Sequence, residues 1–161
     1  MDRGFPPIAD RNSRVLILGT LPGQASLAAG RYYAHPRNAF WPILGHVLGF
    51  DADAPYALRT RSLREAGIAV WDVCEAAVRP GSLDSAIAPD TISANDFAAF
   101  FARHRRIARV GFNGATAARL YRRHALPVDG IAFVTLPSTS PAHAAMDLAA
   151  KRRHWAAFLA G

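Results

Sequence analysis

Four short apolar runs alternate along the chain with segments of helical character, and this alternation limits the fold more than any other feature. The runs span residues 15–18, 68–72, 107–112 and 131–136. Continuous apolar runs of this length are typical of strands buried on both faces. Strands that alternate with helices predict an α/β fold in which helices cover both faces of a parallel sheet.

The segments between these runs are assigned from the spacing of their apolar residues and from the positions of Gly, Pro and N-cap residues. Helices are predicted over 40–48, 55–66, 93–103, 115–124 and 146–159, with Ser93 as the N-cap of the third and Asp96 three residues on. Residues 20–38 are expected to be a loop, and a long connection is expected after the second strand. Residues 1–13 read as a loose lead-in, since Pro6 and Pro7 prevent a helix there. The whole chain is expected to form one domain.

Cysteine and histidine content excludes several classes of site. Cys74 is the only cysteine, so four-thiolate zinc and iron–sulfur sites cannot form within one chain. The six histidines lack metalloprotease-type spacing, so a catalytic metal is not expected. We interpret Cys74 as a small buried residue rather than a nucleophile.

The chain is strongly basic, with a net charge of +7 that comes almost entirely from arginine. Lys151 is the only lysine. Guanidinium groups favour phosphate or carboxylate partners, although compositional bias in an alanine-rich chain explains the arginine count equally well. The pairs 105–106, 122–123 and 152–153 are most simply solvated faces.

Neither a signal peptide nor an apolar run of membrane-spanning length is visible. We therefore expect a cytoplasmic protein with no membrane partner. We also expect it to be a monomer of bacterial type.

Right-handed crossovers would bring the loops that follow the four strands to one edge of the sheet, where open α/β sheets bind ligands. These loops are GTLPGQAS (19–26), WDVCE (71–75), FNGAT (112–116) and LPSTSPAH (136–143). The first is neither a P-loop nor a dinucleotide fingerprint, and it could simply be a tight turn. The last lacks the nucleophile elbow of a serine hydrolase.

The most unusual segment is YYAHPRNAFW (32–41), which gathers four aromatic residues, a histidine, an arginine and an asparagine. Aromatic rings stack on bases, and an asparagine side chain can contact a base edge or hold a water. Phe40 and Trp41 are more simply interpreted as core residues. Asn113 could likewise read a planar ring or cap the helix that follows.

Taken together and in order, these motifs resemble the uracil-DNA glycosylase superfamily, and within it the hypoxanthine-DNA glycosylase branch. The resemblance covers residues 15–143. It implies a three-layer α/β/α domain around a four-stranded parallel sheet. It also implies a monofunctional enzyme that flips a deaminated base out of DNA and hydrolyses its N-glycosidic bond without a metal or other cofactor.

The chain departs from the mismatch-specific uracil relatives at two positions. Leu21 and Leu136 replace the asparagines of their GINPG and NPSG motifs, which favours hypoxanthine over uracil and moves the water-holding role to Asn38. A further difference is His143, where the family commonly ends in SPAN. Three alternatives stay open. The chain could release uracil or xanthine, or it could be a catalytically inactive module that binds lesion DNA. The third alternative, which we rank last, is a hydrolase of small-molecule nucleotides.

The resemblance assigns roles to twelve side chains or backbone segments. Asn38 and His143 would be catalytic. The base pocket would comprise Thr20, Leu21, Gly23, Tyr33, Phe40 and Asn113, with Tyr33 or Phe40 stacked on the base. DNA phosphates would contact Ser26, Ser138, Thr139 and Ser140, and the loop that holds the last three would act as a wedge.

Overall fold

The computed structural model describes residues 1–161. The strands are β1 (Asp2–Arg3), β2 (Val15–Gly19), β3 (Ile68–Asp72), β4 (Cys74–Ala77), β5 (Ser93–Ala94), β6 (Arg109–Asn113) and β7 (Ala132–Leu136). The helices are α1 (Gln24–Ala29), α2 (Phe40–Leu48), α3 (Tyr56–Glu65), α4 (Phe97–Arg103), α5 (Ala115–His124) and α6 (Leu148–Ala160), and short 3₁₀ turns span Asp84–Ala86 and Pro89–Thr91.

The main sheet has four parallel strands in the order β3-β2-β6-β7, so the predicted architecture is confirmed. The central strand β2 is fully buried, and its Val15 lies opposite Ile68 on one side and Arg109 on the other. This explains why its sequence is a continuous apolar run rather than an alternating one.

Alternate residues of β2 belong to two separate cores. Leu16 and Leu18 lie in one apolar cluster together with residues of α4 and α5. Val15 and Ile17 lie in a second cluster with residues of α2, α3 and α6. The two faces of the sheet are thus covered by different helices, which makes three layers. None of these helices is long and apolar enough to cross a membrane.

The prediction of a loose lead-in was wrong. β1 pairs with β4, which in turn pairs with β5, so the first residues form the edge of a small antiparallel sheet. Ile8 is buried and bridges to Val70 of β3. Pro6 and Pro7 do prevent a helix, but an extended segment can still pair with strands that are distant in sequence.

Three other local predictions need correction. The expected loop over 20–38 contains α1, and the expected connection after β3 contains β4. The third predicted helix begins at Phe97 rather than Ser93, because Asp96 is its N-cap and accepts a hydrogen bond from the Ala99 amide at 3.0 Å. Ser93 instead lies in β5.

Candidate active site

A cleft of about 790 Å³ opens at the carboxyl ends of the parallel strands. It is lined by the loops that follow all four strands, together with Tyr33, His35 and Asn38 from the segment before α2. The four loops expected to meet at one edge therefore do so. Each contributes polar side chains or backbone groups to a single concave surface.

The loop after β2 is held in place by a buried network. Arg79 is only 5% exposed and donates hydrogen bonds to the carbonyl oxygens of Leu21, at 3.3 Å, and Pro22. The Thr20 hydroxyl donates to the Asp84 carboxylate at 2.7 Å, and Arg79 also pairs with Asp84. Thr20, Leu21 and Gly23 thus line the cleft on a rigid backbone.

Tyr33 is held in an unusual conformation at the cleft wall. It is the only non-glycine residue with a positive φ, at 54°, a backbone region that is sparsely populated and often associated with function. Its ring stacks on Phe40 with centroids 4.1 Å apart and planes 20° from parallel. The Tyr33 ring therefore presents an aromatic surface to the cleft, and Phe40 supports this ring from behind.

Phe40 does not reach the cleft, which corrects its assignment as a base-stacking residue. Its side chain is fully buried in the core, with Trp41 and Trp155 against its edges and Tyr33 over its face. Because Tyr33 lies over it, Phe40 supports the aromatic surface rather than forming it.

Asn38 lies where the cleft meets a smaller cavity of about 310 Å³. Its side-chain oxygen accepts a hydrogen bond from the Phe40 amide at 2.9 Å, which fixes the side chain at the start of α2. Its Nδ2 makes no hydrogen bond within the protein, and the residue is half-buried. One donor of Asn38 is thus free for a ligand.

Asn113 and Thr139 hold the loops after β6 and β7 together. Asn113 Nδ2 donates to the Thr139 hydroxyl and the Thr139 amide donates to Asn113 Oδ1, both at 2.9 Å. Thr139 lines the cleft but is 1% exposed, and its contact with a DNA phosphate stays a prediction. Asn113 lines the cleft, where its side chain also approaches the Tyr33 hydroxyl, and it does not cap α5.

Ser26, which was also predicted to contact a DNA phosphate, lines the cleft as well. It lies in α1 rather than in a loop and is 6% exposed. Its hydroxyl accepts a hydrogen bond from the Ala34 amide at 3.1 Å, next to Tyr33. Ser26 therefore helps to fix the aromatic segment.

Ser138, Ser140 and His143 of the loop after β7 are half-buried and line the cleft. The hydroxyls of Ser138 and Ser140 accept hydrogen bonds from backbone amides two residues on, and the His143 amide donates to the Ser140 carbonyl. Lys151 is buried and donates to the His143 carbonyl at 2.6 Å, so α6 fixes the end of this loop.

The carboxyl group of Asp72 was not singled out from the sequence. It ends β3, lines the cleft and is 4% exposed, and its Oδ2 has no hydrogen-bond partner. Burial, and secondarily the charge of Asp84, raise the pKa of Asp72 to about 7, against a lowering effect of Arg79. A carboxylate directly after a buried apolar run, at the predicted ligand edge, was the signal that could have identified it.

The sequence and the fold were compared with those of known proteins, and both comparisons identify the same family. The sequence profile described as "Uracil DNA glycosylase superfamily" matches residues 6–160, nearly the full length. The chain belongs to the uracil DNA glycosylase superfamily. A solution NMR structure from Methanosarcina acetivorans, of a protein described as a uracil DNA glycosylase, superposes with a TM-score of 0.81 at 33% identity. That superposition covers 98% of this chain and 96% of the other.

Two superfamily relatives carry a more specific name. A hypoxanthine DNA glycosylase of Methanosarcina acetivorans is 38% identical over 116 residues, which is 71% of this chain and 72% of that protein. Its counterpart in Methanosarcina barkeri is 39% identical over 113 residues, or 70% of each chain. The resemblance to the hypoxanthine branch is thus confirmed, but these relatives are archaeal rather than bacterial.

Proposed function

We propose that this chain is a monofunctional DNA glycosylase of base excision repair, which hydrolyses the N-glycosidic bond of deaminated bases and above all of hypoxanthine. The observation that carries the proposal is the Tyr33 ring, held at positive φ and backed by Phe40 in a cleft of the superfamily's fold. Such a surface suits the face of a flipped base. The names of the two relatives support hypoxanthine as that base.

Asn38 would position the hydrolytic water or contact the sugar. Leu21 and Leu136, at the two positions where uracil-specific relatives carry asparagine, are 6% and 3% exposed and apolar, so neither can hold a water. The Asn113 side chain already makes two hydrogen bonds with Thr139, whereas Asn38 has a free Nδ2. Asn38 is therefore the asparagine best placed for this role, with Asn113 left to read the base edge.

The loop after β7 would hold the phosphates beside the flipped nucleotide. Its half-buried Ser138, Ser140 and His143 line the cleft, and their backbone is fixed by Asn113 and Lys151. Backbone amides and hydroxyls in fixed positions are typical phosphate contacts. Lesion-containing DNA is the partner that follows from this arrangement, and a monomer would suffice to bind it.

Substrate choice is tested by base release from duplexes with a single deoxyinosine, deoxyuridine, deoxyxanthosine or only normal bases, with alkaline cleavage of the abasic product. We expect release from deoxyinosine to exceed release from the others. Preferred release from deoxyuridine would contradict the hypoxanthine assignment. DNA binding without any release would instead favour an inactive lesion-binding module, and activity on free deoxyinosine with weak DNA binding would favour a nucleotide hydrolase.

Replacement of Asn38 tests the site. Asn38→Ala should lower single-turnover release by at least about 100-fold while DNA affinity changes little, because the chemical step loses its water contact. Asn38→Asp is the matched control, since its carboxylate can still accept the Phe40 amide and preserve the start of α2. Normal turnover in Asn38→Ala would contradict the assignment.

A further inference from the structure

We propose that Asp72 is a further catalytic residue, whose protonated carboxyl donates a hydrogen bond to the edge of the flipped purine and stabilises the negative charge of the leaving base. This inference rests on the proposed glycosylase function. It concerns the leaving group, whereas Asn38 serves the water or the sugar.

The first observation is the position of Asp72 beside the aromatic surface. Asp72 Oδ1 lies 2.6 Å, and the Tyr33 hydroxyl oxygen 2.9 Å, from the point where a Cβ on Gly19 would be. The absence of a side chain at Gly19 allows both groups to approach the same corner of the cleft. A base stacked on the Tyr33 ring would therefore have its edge next to the Asp72 carboxyl.

The second observation is that the Asp72 carboxyl is buried and unpaired. Its Oδ2 has no hydrogen-bond partner, whereas the side chain of Asn113 approaches the Tyr33 hydroxyl. Buried polar atoms are nearly always paired in folded proteins, because an unpaired one costs roughly 1–3 kcal/mol. An unpaired carboxyl oxygen in one corner of a ligand cleft indicates that the ligand supplies the missing partner.

Asp84, the other carboxylate of the cleft, differs in this respect. Its Oδ1 accepts from the Thr20 hydroxyl at 2.7 Å and pairs with Arg79 at 3.4 Å. Those contacts serve to shape the loop after β2. Among the residues that line the cleft, Asp72 is thus the carboxylate left for the substrate.

The surroundings of Asp72 favour the protonated form that this role needs. Burial and Asp84 raise the pKa of Asp72 to about 7, while Arg79 opposes them. Tyr32, Tyr33 and Cys74 also face it, and burial raises the pKa of each of them well above neutrality, so they bring no competing charge. A substantial fraction of Asp72 is then an acid at neutral pH.

The reaction balances with this assignment. The C1′–N9 bond breaks and its electron pair passes to the purine, whose ring nitrogens and O6 accept hydrogen bonds. The water oxygen bonds to C1′ and its proton passes to solvent. The Asp72 proton is shared with the leaving base or transferred to it, and solvent restores it after release. A donor fixed in advance in a buried site stabilises such charge without reorganisation.

The test is single-turnover release of hypoxanthine from a deoxyinosine duplex, measured from about pH 5 to about pH 9 for the wild type, Asp72→Asn and Asp72→Ala. The wild-type rate should fall tenfold per unit once the pH exceeds about 7, because the carboxyl loses its proton. Asp72→Asn keeps an N–H donor and should lack this decline. Asp72→Ala should be at least about 100-fold slower at pH 6.

The cleft is also lined by His35, His143 and His154, so these imidazoles need a control. His35→Gln, His143→Gln and His154→Gln should keep the decline at high pH whatever their absolute rates, since the carboxyl remains. A rate that rises with pH and is lost in Asp72→Asn would overturn the proposal in favour of a general base. An unchanged profile in Asp72→Asn, or an active Asp72→Ala, would also overturn it.

The same series separates this inference from the proposed function. If the wild type releases no hypoxanthine, the glycosylase assignment fails and the Asp72 inference fails with it. If the wild type is active and the Asp72 variants match it, only the inference fails. Thermal melting of each variant excludes unfolding as the cause of a lost rate.

Discussion

At the scale of single residues, Asp72 makes the stability of the fold depend on pH. Its folded pKa of about 7 lies above the ordinary value of 3.8, so the folded state holds the proton to a higher pH than the unfolded state does. The stabilising contribution of the Asp72 proton to the free energy of unfolding is therefore fully present below about pH 4, and it is lost as the pH rises toward 7. An apolar residue of the core does not titrate, so its contribution to stability has no such dependence on pH.

Asp72→Asn should accordingly stabilise the protein at high pH. We expect a gain of roughly 1–3 kcal/mol at pH 8 and little or none at pH 4, because the amide never becomes charged. Urea unfolding of the two proteins at both pH values measures this. A variant that is less stable than the wild type at pH 8 would show that the carboxylate is well compensated in the fold.

Tyr33 and Phe40 show what sequence reasoning could and could not decide at this scale. The segment 32–41 was selected for its aromatic and polar side chains, and Tyr33, His35 and Asn38 line the cleft. Which ring faces the cleft depends on the positive φ of Tyr33 and on the packing of Trp41 and Trp155 around Phe40. Both are properties of the tertiary structure, so the sequence pattern alone did not separate the two.

At the scale of elements, α6 controls the loop after β7 through Lys151. The Lys151 ammonium donates to the His143 carbonyl across the gap between helix and loop. Burial lowers the pKa of Lys151. The only lysine of the chain thus has a structural contact with the loop that we propose to hold DNA phosphates.

Lys151→Met should weaken DNA binding by several-fold while leaving the single-turnover rate at saturating enzyme nearly unchanged. Methionine keeps the apolar stem but removes the hydrogen bond, which is worth roughly 1.5–3 kcal/mol when one partner is charged. Binding titrations and saturating single-turnover assays separate the two effects. Unchanged affinity would show that the loop is positioned without this contact.

Elements with strong periodicity could be predicted well, and short ones could not. The helices over 40–48 and 115–124 match the structure residue for residue, because each has a clear apolar face. α1 has only six residues between Gly23 and Gly30 and therefore resembles a loop. β1 and β5 have two residues each, too few for any period, and they exist only because β4 lies between them.

At the scale of the whole molecule, positive charge dominates the surface. The net charge is +7, and only Arg61 and Arg79 of the 18 arginines form ion pairs. Most guanidinium groups therefore remain available to phosphates or solvent. This arrangement suits a polyanion, although it does not select a sequence or a lesion.

Affinity for undamaged duplex DNA should therefore fall steeply with salt. Each phosphate neutralised by an arginine releases counterions, so a plot of log affinity against log salt should be linear with a slope of about −0.9 per contact. We expect several such contacts from titrations between about 50 mM and about 200 mM salt. A slope near zero would contradict DNA binding through this basic surface.

The central claim is that the cleft releases hypoxanthine from DNA as a free base. The most direct measurement is chromatographic identification of the product after a deoxyinosine duplex is incubated with excess protein, with Asn38→Ala in parallel. We expect the wild type to yield free hypoxanthine and an abasic strand, and Asn38→Ala to yield almost no hypoxanthine. Release of deoxyinosine as a nucleoside, or intact DNA with the wild type, would contradict it.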